Sequence, residues 1–432
     1  MKKNNWLKET TDIDAFTKSD KFWEHLSEHA YPLSKGEMRI PISLEPYVLS
    51  EEKYVELHDQ IELLISAAKK LAEHYYDDPE LAEVFAIDEL ERTLILQSKD
   101  EPLIGIVRVD LFHGNIPKLV EINADFPDGF FMHDVTSSAI KNMITSQELH
   151  HASNTELFAE LLKSENIQAD DHIFVGYNGN RLFLDEFALT MIKLNERGWH
   201  NISIGAFEDL HFKDGTCYFQ DKPVNVIRRG AELSKLREMP GFFENLALAQ
   251  KTSGLKIINN FKMRLLGHKS LLAALHDERF TKYLTKGELV AIKTLVPLTR
   301  KLNTNDERLI LSEKDRWVLK PSDLAEGHGV SIGTSLSQDE WERAVRTALT
   351  APHKWILQEK IRIPSEVFTI LNEATRERAH SEAYYDFDPH IVLFRDKSKF
   401  GNVLVRFSES EILNVMQGGG LTYAFYEKNK LK

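Results

Sequence analysis

Residues 104–127 constrain this chain more than any other stretch. They read Ile-Gly-Ile-Val-Arg-Val-Asp-Leu-Phe-His-Gly-Asn-Ile-Pro-Lys-Leu-Val-Glu-Ile-Asn-Ala-Asp-Phe-Pro. Successive side chains of a strand point to opposite faces. Val107, Val109 and Leu111 alternate with Arg108 and Asp110. After a turn over residues 113–117, Val120, Ile122 and Ala124 alternate with Glu121, Asn123 and Asp125. The pattern predicts a β-hairpin with one apolar face. Its other face gathers Arg108, Asp110, Glu121, Asn123 and Asp125.

A sheet that packs on one face and leaves the other in water would account for those charges. The pattern also supports a sharper reading. Like charges opposite one another on paired strands are destabilising, and Asp110 and Glu121 are expected cross-strand neighbours. A hard cation relieves that repulsion. Magnesium takes oxygen ligands, keeps several waters, and is held by one or two carboxylates together with substrate phosphates. On this reading the hairpin is a magnesium–nucleotide platform, with Arg108 free to meet phosphoryl charge.

The chain of 432 residues is long enough for two or three domains and a sizeable core. Its net charge of −13 argues against general binding to nucleic acid or to an anionic membrane. A single cysteine, Cys217, leaves no internal disulfide to form. No apolar run is long enough to span a bilayer, and the first residues lack the apolar stretch of a signal peptide. A cytoplasmic protein is expected.

The periodicity predicts a short helix around Lys21–Ala30, then an extended segment punctuated by Pro32, Pro41 and Pro46. Glu51–Tyr76 is a strong amphipathic helix, with Leu57, Ile61, Leu64, Ala68 and Leu71 on one face. Pro79 suits the first turn of another, over roughly residues 79–91. Beyond the hairpin, helix is expected at 130–145 and at Leu157–Leu162. Residues 171–177 and 201–206 read as strands flanking a helix over 182–197 that Gly198 stops, the signature of a parallel unit. Cys217–Phe219 and Val224–Arg228 suggest a hairpin around residues 220–223. Helices are expected near 268–276 and 337–349, and strands at 316–320, 354–360, 366–371, 390–394 and 402–407.

Four segments follow from this reading. Residues 1–90 are mainly helical, 91–169 hold the hairpin and its helices, 170–255 form a small α/β domain, and 256–432 carry a nucleotide-binding part. The fold class is mixed α+β and α/β.

A second set of residues completes a possible site. Residues 316–333 deliver Lys320 at a strand end, stop at Pro321, and continue into a loop with Gly327 and Gly329. Glycine lets backbone N–H groups approach phosphates closely, although an ordinary hairpin loop would look the same. Neither a P-loop nor a dinucleotide fingerprint is present. The strand Trp355–Lys360 ends in Gln358 and Glu359, which either present hydrogen-bonding groups to an adenine edge or are the polar end of an edge strand. Gly418–Gly420 allows a close approach to a ligand or a tight turn. His25 and His29 lie four residues apart with no third metal ligand at a sensible spacing.

Together these parts resemble an ATP-grasp carboxylate–amine ligase: Lys-Pro, a glycine loop, a strand ending Gln-Glu, and Glu-x-Asn. Here Arg108-x-Asp110 and Glu121-x-Asn123-Ala124-Asp125 precede the glycine loop by roughly two hundred residues. That order is similar to the circularly permuted branch typified by the synthetase domain of glutathionylspermidine synthase, without any amidase domain. The resemblance implies that Asp110, Glu121 and Asn123 hold Mg2+ and that Arg108 and Lys320 assist phosphoryl transfer. It implies that Lys269, Lys320, Gly327, Gly329, Gln358 and Glu359 bind ATP. Lys269 is also read simply as a helix-surface lysine.

The implied reaction joins a small-molecule or peptide acid to an amine through an acylphosphate. Two other readings stand beside it: a phosphotransferase on the same fold, and a non-catalytic protein whose hairpin holds a nucleotide or a structural cation.

Overall fold

The computed structural model describes residues 40–427, apart from 44–45, 115, 144–148, 178–183, 232–235, 237–238, 240, 325–326, 372–377, 414 and 416–418. The Lys21–Ala30 helix, His25, His29, Pro32 and Gly418 lie outside the described residues.

Ser50 caps the long helix Glu51–His74, its hydroxyl accepting from the Lys53 N–H, with Glu51 and Glu52 in the first turn. Leu57, Ile61, Leu64, Ile65, Ala68 and Leu71 are buried along one stripe. Helix Lys286–Leu295 packs across it, started by a capping box between Thr285 and Glu288. Glu288 is also held by Ser66 and Lys70 at 2.7 and 2.9 Å.

The single helix expected over 79–91 is two. Pro79–Phe85 ends at Ala86, which is left-handed with φ 51°, and Asp88 caps a new helix, Glu89–Gln97. A left-handed residue cannot continue an α-helix, and the cap restarts the chain in another direction.

Among the described residues, the hairpin strands Gly105–His113 and Pro117–Asn123 form one end of a ten-stranded sheet. Asp388–Leu393 pairs antiparallel with the first hairpin strand, and Ser398–Ser408 comes next. Beyond it the sheet curls on itself. Ser398–Ser408 pairs with both Arg378–Tyr385 and Gly420–Glu427. Ile42–Ser43 bridges Gly420–Glu427 to Ser365–Leu371, which returns to Arg378–Tyr385. The hairpin's apolar face joins the largest core, where Val107, Val109, Leu111 and Ile122 pack with Leu71, Leu266 and Leu271.

A second, parallel sheet runs Lys256–Ile258, Val226–Gly230, Ile173–Tyr177, Ile202–Ala206. The hairpin expected around residues 220–223 does not form as read. Thr216–Phe219 turns back onto the two-residue strand Lys222–Pro223, and Val226–Gly230 enters the parallel sheet instead. All five of its residues are buried, which suits an inner parallel strand covered on both faces.

A third, four-stranded sheet runs Thr299–Lys301, Trp355–Glu359, Trp317–Pro321, Ser331–Ile332. Helix Gln338–Leu349 buries Trp341 against it, started by the Ser337–Glu340 capping box. Among the described residues no helix is long and apolar enough to cross a membrane.

Candidate active site

The hairpin register sets Arg108 opposite Asn123 and Asp110 opposite Glu121. These four side chains therefore share one face, as the alternation predicted. The register then shifts, and Leu111 pairs with Leu119. This bulge corrects the expected face of Val120: Leu119 enters the core, and Val120 is turned to the cavity. Asp125 also leaves the polar face. It pairs with buried Arg229 at 2.5 Å, and its carbonyl accepts from the same guanidinium. Arg229 spends its remaining donors on the carbonyls of Asn259 and Ala231, so it ties the two sheets together.

Asn259 makes the other tie. Its amide accepts from Ile106 N–H at 2.9 Å and donates to the carbonyls of Ile106 and Ala124 at 2.7 and 2.8 Å. It stands in for a neighbouring strand and clamps both hairpin strands. Gly105 allows this approach, because a Cβ there would lie 2.2 Å from the Asn259 side-chain oxygen.

The opposite wall of the cavity belongs to the third sheet. Lys320 is buried at the end of Trp317–Pro321 and donates to Gln358 Oε1 at 2.7 Å and to the Val120 carbonyl at 3.2 Å. Gln358 in turn donates to Thr299 Oγ1 at 3.1 Å. The edge-strand reading of Gln358 and Glu359 is overturned: their strand pairs on both sides, with Thr299–Lys301 and with Trp317–Pro321. Gly327 and Gly329 have φ of +75° and +74°, the left-handed region that glycine enters without strain. Lys269 is not a surface residue of its helix. It donates to the Leu324 carbonyl at 2.7 Å and pairs with Glu121 Oε2 at 2.9 Å, joining the two walls. Between them lies a cavity of about 300 Å³, the lower end of the range for small-molecule sites. Every predicted site residue lines it except Gly329.

The charges in this cavity are tightly interlocked. Arg108 donates to both oxygens of Asp110, at 2.8 and 3.1 Å, and to Asp128 at 2.8 Å. Arg406 reaches Asp110, Asp386 and Asp388 at 2.7, 2.6 and 2.7 Å. Burial works against the charge on Asp110, but Arg108 and Arg406 outweigh it and hold the carboxyl below its ordinary range. The same contest at Glu121 is won by Lys269 and Lys320. Burial pushes Asp386 up and Asp388 well above the usual carboxylate range. Burial pushes Lys320 down to about 8.

Asp386 and Asp388 were not singled out from the sequence. A signal existed: Asp386, Asp388 and His390 alternate with Phe387, Pro389 and Ile391 just as Arg108 and Asp110 alternate with valines. His390 lies directly opposite Arg108 in the sheet.

The cavity continues to the parallel sheet, past Phe126 and Met132 to Glu186, Gly230 and Ala231. Glu186 accepts from the N–H groups of Phe131 and Met132, at 3.0 and 2.8 Å, at the start of helix Phe130–Met143. A carboxylate is favoured at a helix N-terminus, yet burial still raises its pKa. Arg228 is buried nearby, its guanidinium 5.8 Å from the Phe126 ring, and burial lowers its pKa to about 10.

No known protein family matches the sequence of this chain, and no curated protein matches it. Among solved structures, it is similar to a glutathione synthetase-like effector from Globodera pallida. The TM-score is 0.67 at 12% identity, over 98% of this chain and 99% of that one. A putative gamma-glutamylcysteine synthetase from Methylobacillus flagellatus matches with a TM-score of 0.43 at 14% identity, over 83% of this chain and 87% of that one. D-alanyl-alanine synthetase A from Vibrio cholerae matches with a TM-score of 0.28 at 9% identity, over 55% of this chain and 88% of that one. The chain has a mixed α/β fold shared with the effector, and the likeness runs through almost the whole of both chains.

Proposed function

We propose that this chain is an ATP- and magnesium-dependent carboxylate–amine ligase, with the circularly permuted order of parts found in glutathionylspermidine synthase-like synthetases. One observation carries the reading. Asp110, Glu121 and Asn123 face the same cavity as Lys269, Lys320 and Gln358, although roughly two hundred residues separate the hairpin from Lys320.

The donor set fits magnesium. Asp110 and Glu121 are like charges directly opposite each other in the register, and with Asn123 they offer only oxygen ligands suited to a hard cation. A bound Mg2+ ion would neutralise charge on the nucleotide phosphates. Lys269 and Lys320 supply fixed positive charge beside it, and Arg108 meets the transferring phosphoryl group. The adenine would lie along Gln358 and Glu359, which line the cavity. The Gly327–Gly329 loop covers the phosphates and keeps water from the intermediate.

In this reaction the acid's carboxylate attacks the terminal phosphorus of ATP and ADP leaves. The amine nitrogen then attacks the acylphosphate carbon, phosphate leaves, and the nitrogen loses a proton as the amide forms. The acid and the amine, small molecules or peptides, occupy the end of the cavity at Phe126, Met132 and Glu186.

Thermal unfolding with Mg–AMP-PNP tests the reading in wild type and Glu121→Ala. A ligand at a hundred times its dissociation constant adds about 2.7 kcal/mol of stability. The expected result is a rise in Tm for wild type that is lost or weakened in the variant. ADP release should then require both an acid and an amine. Release with one acceptor and no amine would favour a phosphotransferase, and no nucleotide response would overturn the ligase reading.

A further inference from the structure

Three successive residues at the root of the glycine loop each receive a hydrogen bond from a different cation. Lys301 Nζ donates to Ser322 Oγ at 3.1 Å. Arg264 Nη2 donates to the Asp323 carbonyl at 3.1 Å. Lys269 Nζ donates to the Leu324 carbonyl at 2.7 Å. The Lys269 N–H also bonds the Ser322 carbonyl at 3.1 Å.

Lys301 differs from the other two in bonding two hydroxyls, and like Arg264 it does not line the cavity. It sits on the strand Thr299–Lys301, opposite Ile356, and its ammonium lies between two hydroxyls: Ser322 Oγ and, at 2.8 Å, Ser270 Oγ. Ser270 directly follows Lys269, and Ser322 follows Lys320 by two residues. One ammonium therefore bridges the two segments that carry Lys269 and Lys320. A half-buried ammonium carries part of a desolvation cost that an apolar side chain of the same length would avoid, and desolvation lowers the Lys301 pKa to about 8. Its hydrogen bonds go to these two hydroxyls, while the charge of Asp323 opposes the loss of its proton.

We propose that Lys301 is a positioning residue for nucleotide phosphates. Through Ser270 and Ser322 it fixes the spacing between Lys269 and Lys320, and with it the root of the glycine loop. This rests on the nucleotide-binding reading above. Two lysines on separate elements converge on one polyanion only if the elements are held in register, and a contact displaced by an ångström loses most of its value.

The test is calorimetric binding of Mg–AMP-PNP to wild type, Lys301→Met, Ser322→Ala and the double variant, with Tm measured without nucleotide. Lys301→Met should raise Kd tenfold or more, and Ser322→Ala should raise it in the same direction. The double variant should lose no more than Lys301→Met alone, because both changes break one tie. Ser322→Ala should leave the nucleotide-free Tm close to wild type.

A Kd unchanged in both single variants, whatever their Tm, would overturn the proposal and leave Lys301 a structural spacer. Losses that multiply in the double variant would also overturn it, since Lys301 would then not act through Ser322. If Lys301→Met fails to fold, Ser322→Ala and Ser270→Ala decide by the same Kd criterion. Wild type that binds no Mg–AMP-PNP would remove the nucleotide reading and this inference together, whereas binding by wild type with unaffected variants removes only the inference.

Discussion

Arg406 reaches across the sheet to Asp110, its Nη2 2.7 Å from the carboxylate Oδ2. The same guanidinium is held by Asp386 and Asp388, and all three carboxylates are buried. Asp110 is therefore neutralised by two arginines, and the magnesium ion proposed to bind there would compete with both.

Replacing Arg406 tests how much of the fold depends on that arrangement. Arg406→Met leaves Asp386 and Asp388 buried without their guanidinium. Removing one partner of a buried ion pair costs about 3–5 kcal/mol. Urea unfolding at pH 7 should show a loss of that order. Protonation relieves an uncompensated carboxylate, so the loss should shrink toward pH 5.

Lys269 links Glu121 to the Leu324 carbonyl, and so one wall of the cavity to the other. Lys269→Met should weaken Mg–AMP-PNP binding about tenfold or more, a change of about 1.4 kcal/mol. Isothermal calorimetry checks this. Unchanged affinity would remove Lys269 from the nucleotide site.

Glu101 gives a pH dependence far from the cavity. Burial raises its pKa from 4.5 to about 7, opposed by Asn260, Gln250 and Lys262. The folded protein thus holds this proton more tightly than the unfolded chain does. The stabilisation is fully present below pH 4.5 and is lost as the pH rises through 7. Glu101→Gln should be more stable than wild type at pH 8, by at most about 3 kcal/mol. The difference should vanish near pH 4.5, as urea unfolding at several pH values would reveal.

Asn259 clamps the hairpin through three hydrogen bonds to Ile106 and Ala124. Asn259→Ala leaves three buried backbone groups without those partners. At about 1–3 kcal/mol for each unsatisfied group, the loss should reach about 3 kcal/mol or more by denaturant unfolding. Asn259→Asp should not rescue it, because the carboxylate cannot donate to the two carbonyls.

The hairpin was legible because strand alternation is local. Arg108, Asp110, Glu121 and Asn123 fall on one face whatever surrounds them, and the observed register agrees. The exception is Val120, moved by a bulge that alternation cannot register. The long helix was legible for the same reason, since its apolar stripe repeats with the helical period. The break at Ala86 was not, because a left-handed alanine leaves no mark in an apolar pattern.

The motifs behind the ATP-grasp resemblance stand in separate stretches of the sequence, and the fold is similar to that of a glutathione synthetase-like effector. Their sequence by itself determined which residues are polar on which face of each strand, because that depends only on backbone period and neighbouring residue types. Only the tertiary structure decided that Lys269 leaves its helix surface for Glu121, that Gln358 lies on an inner strand, and that Arg406 gathers three buried carboxylates. Those relations join residues up to 296 positions apart. They depend on how separate sheets pack and on where burial strips water from charge, and no local pattern encodes either.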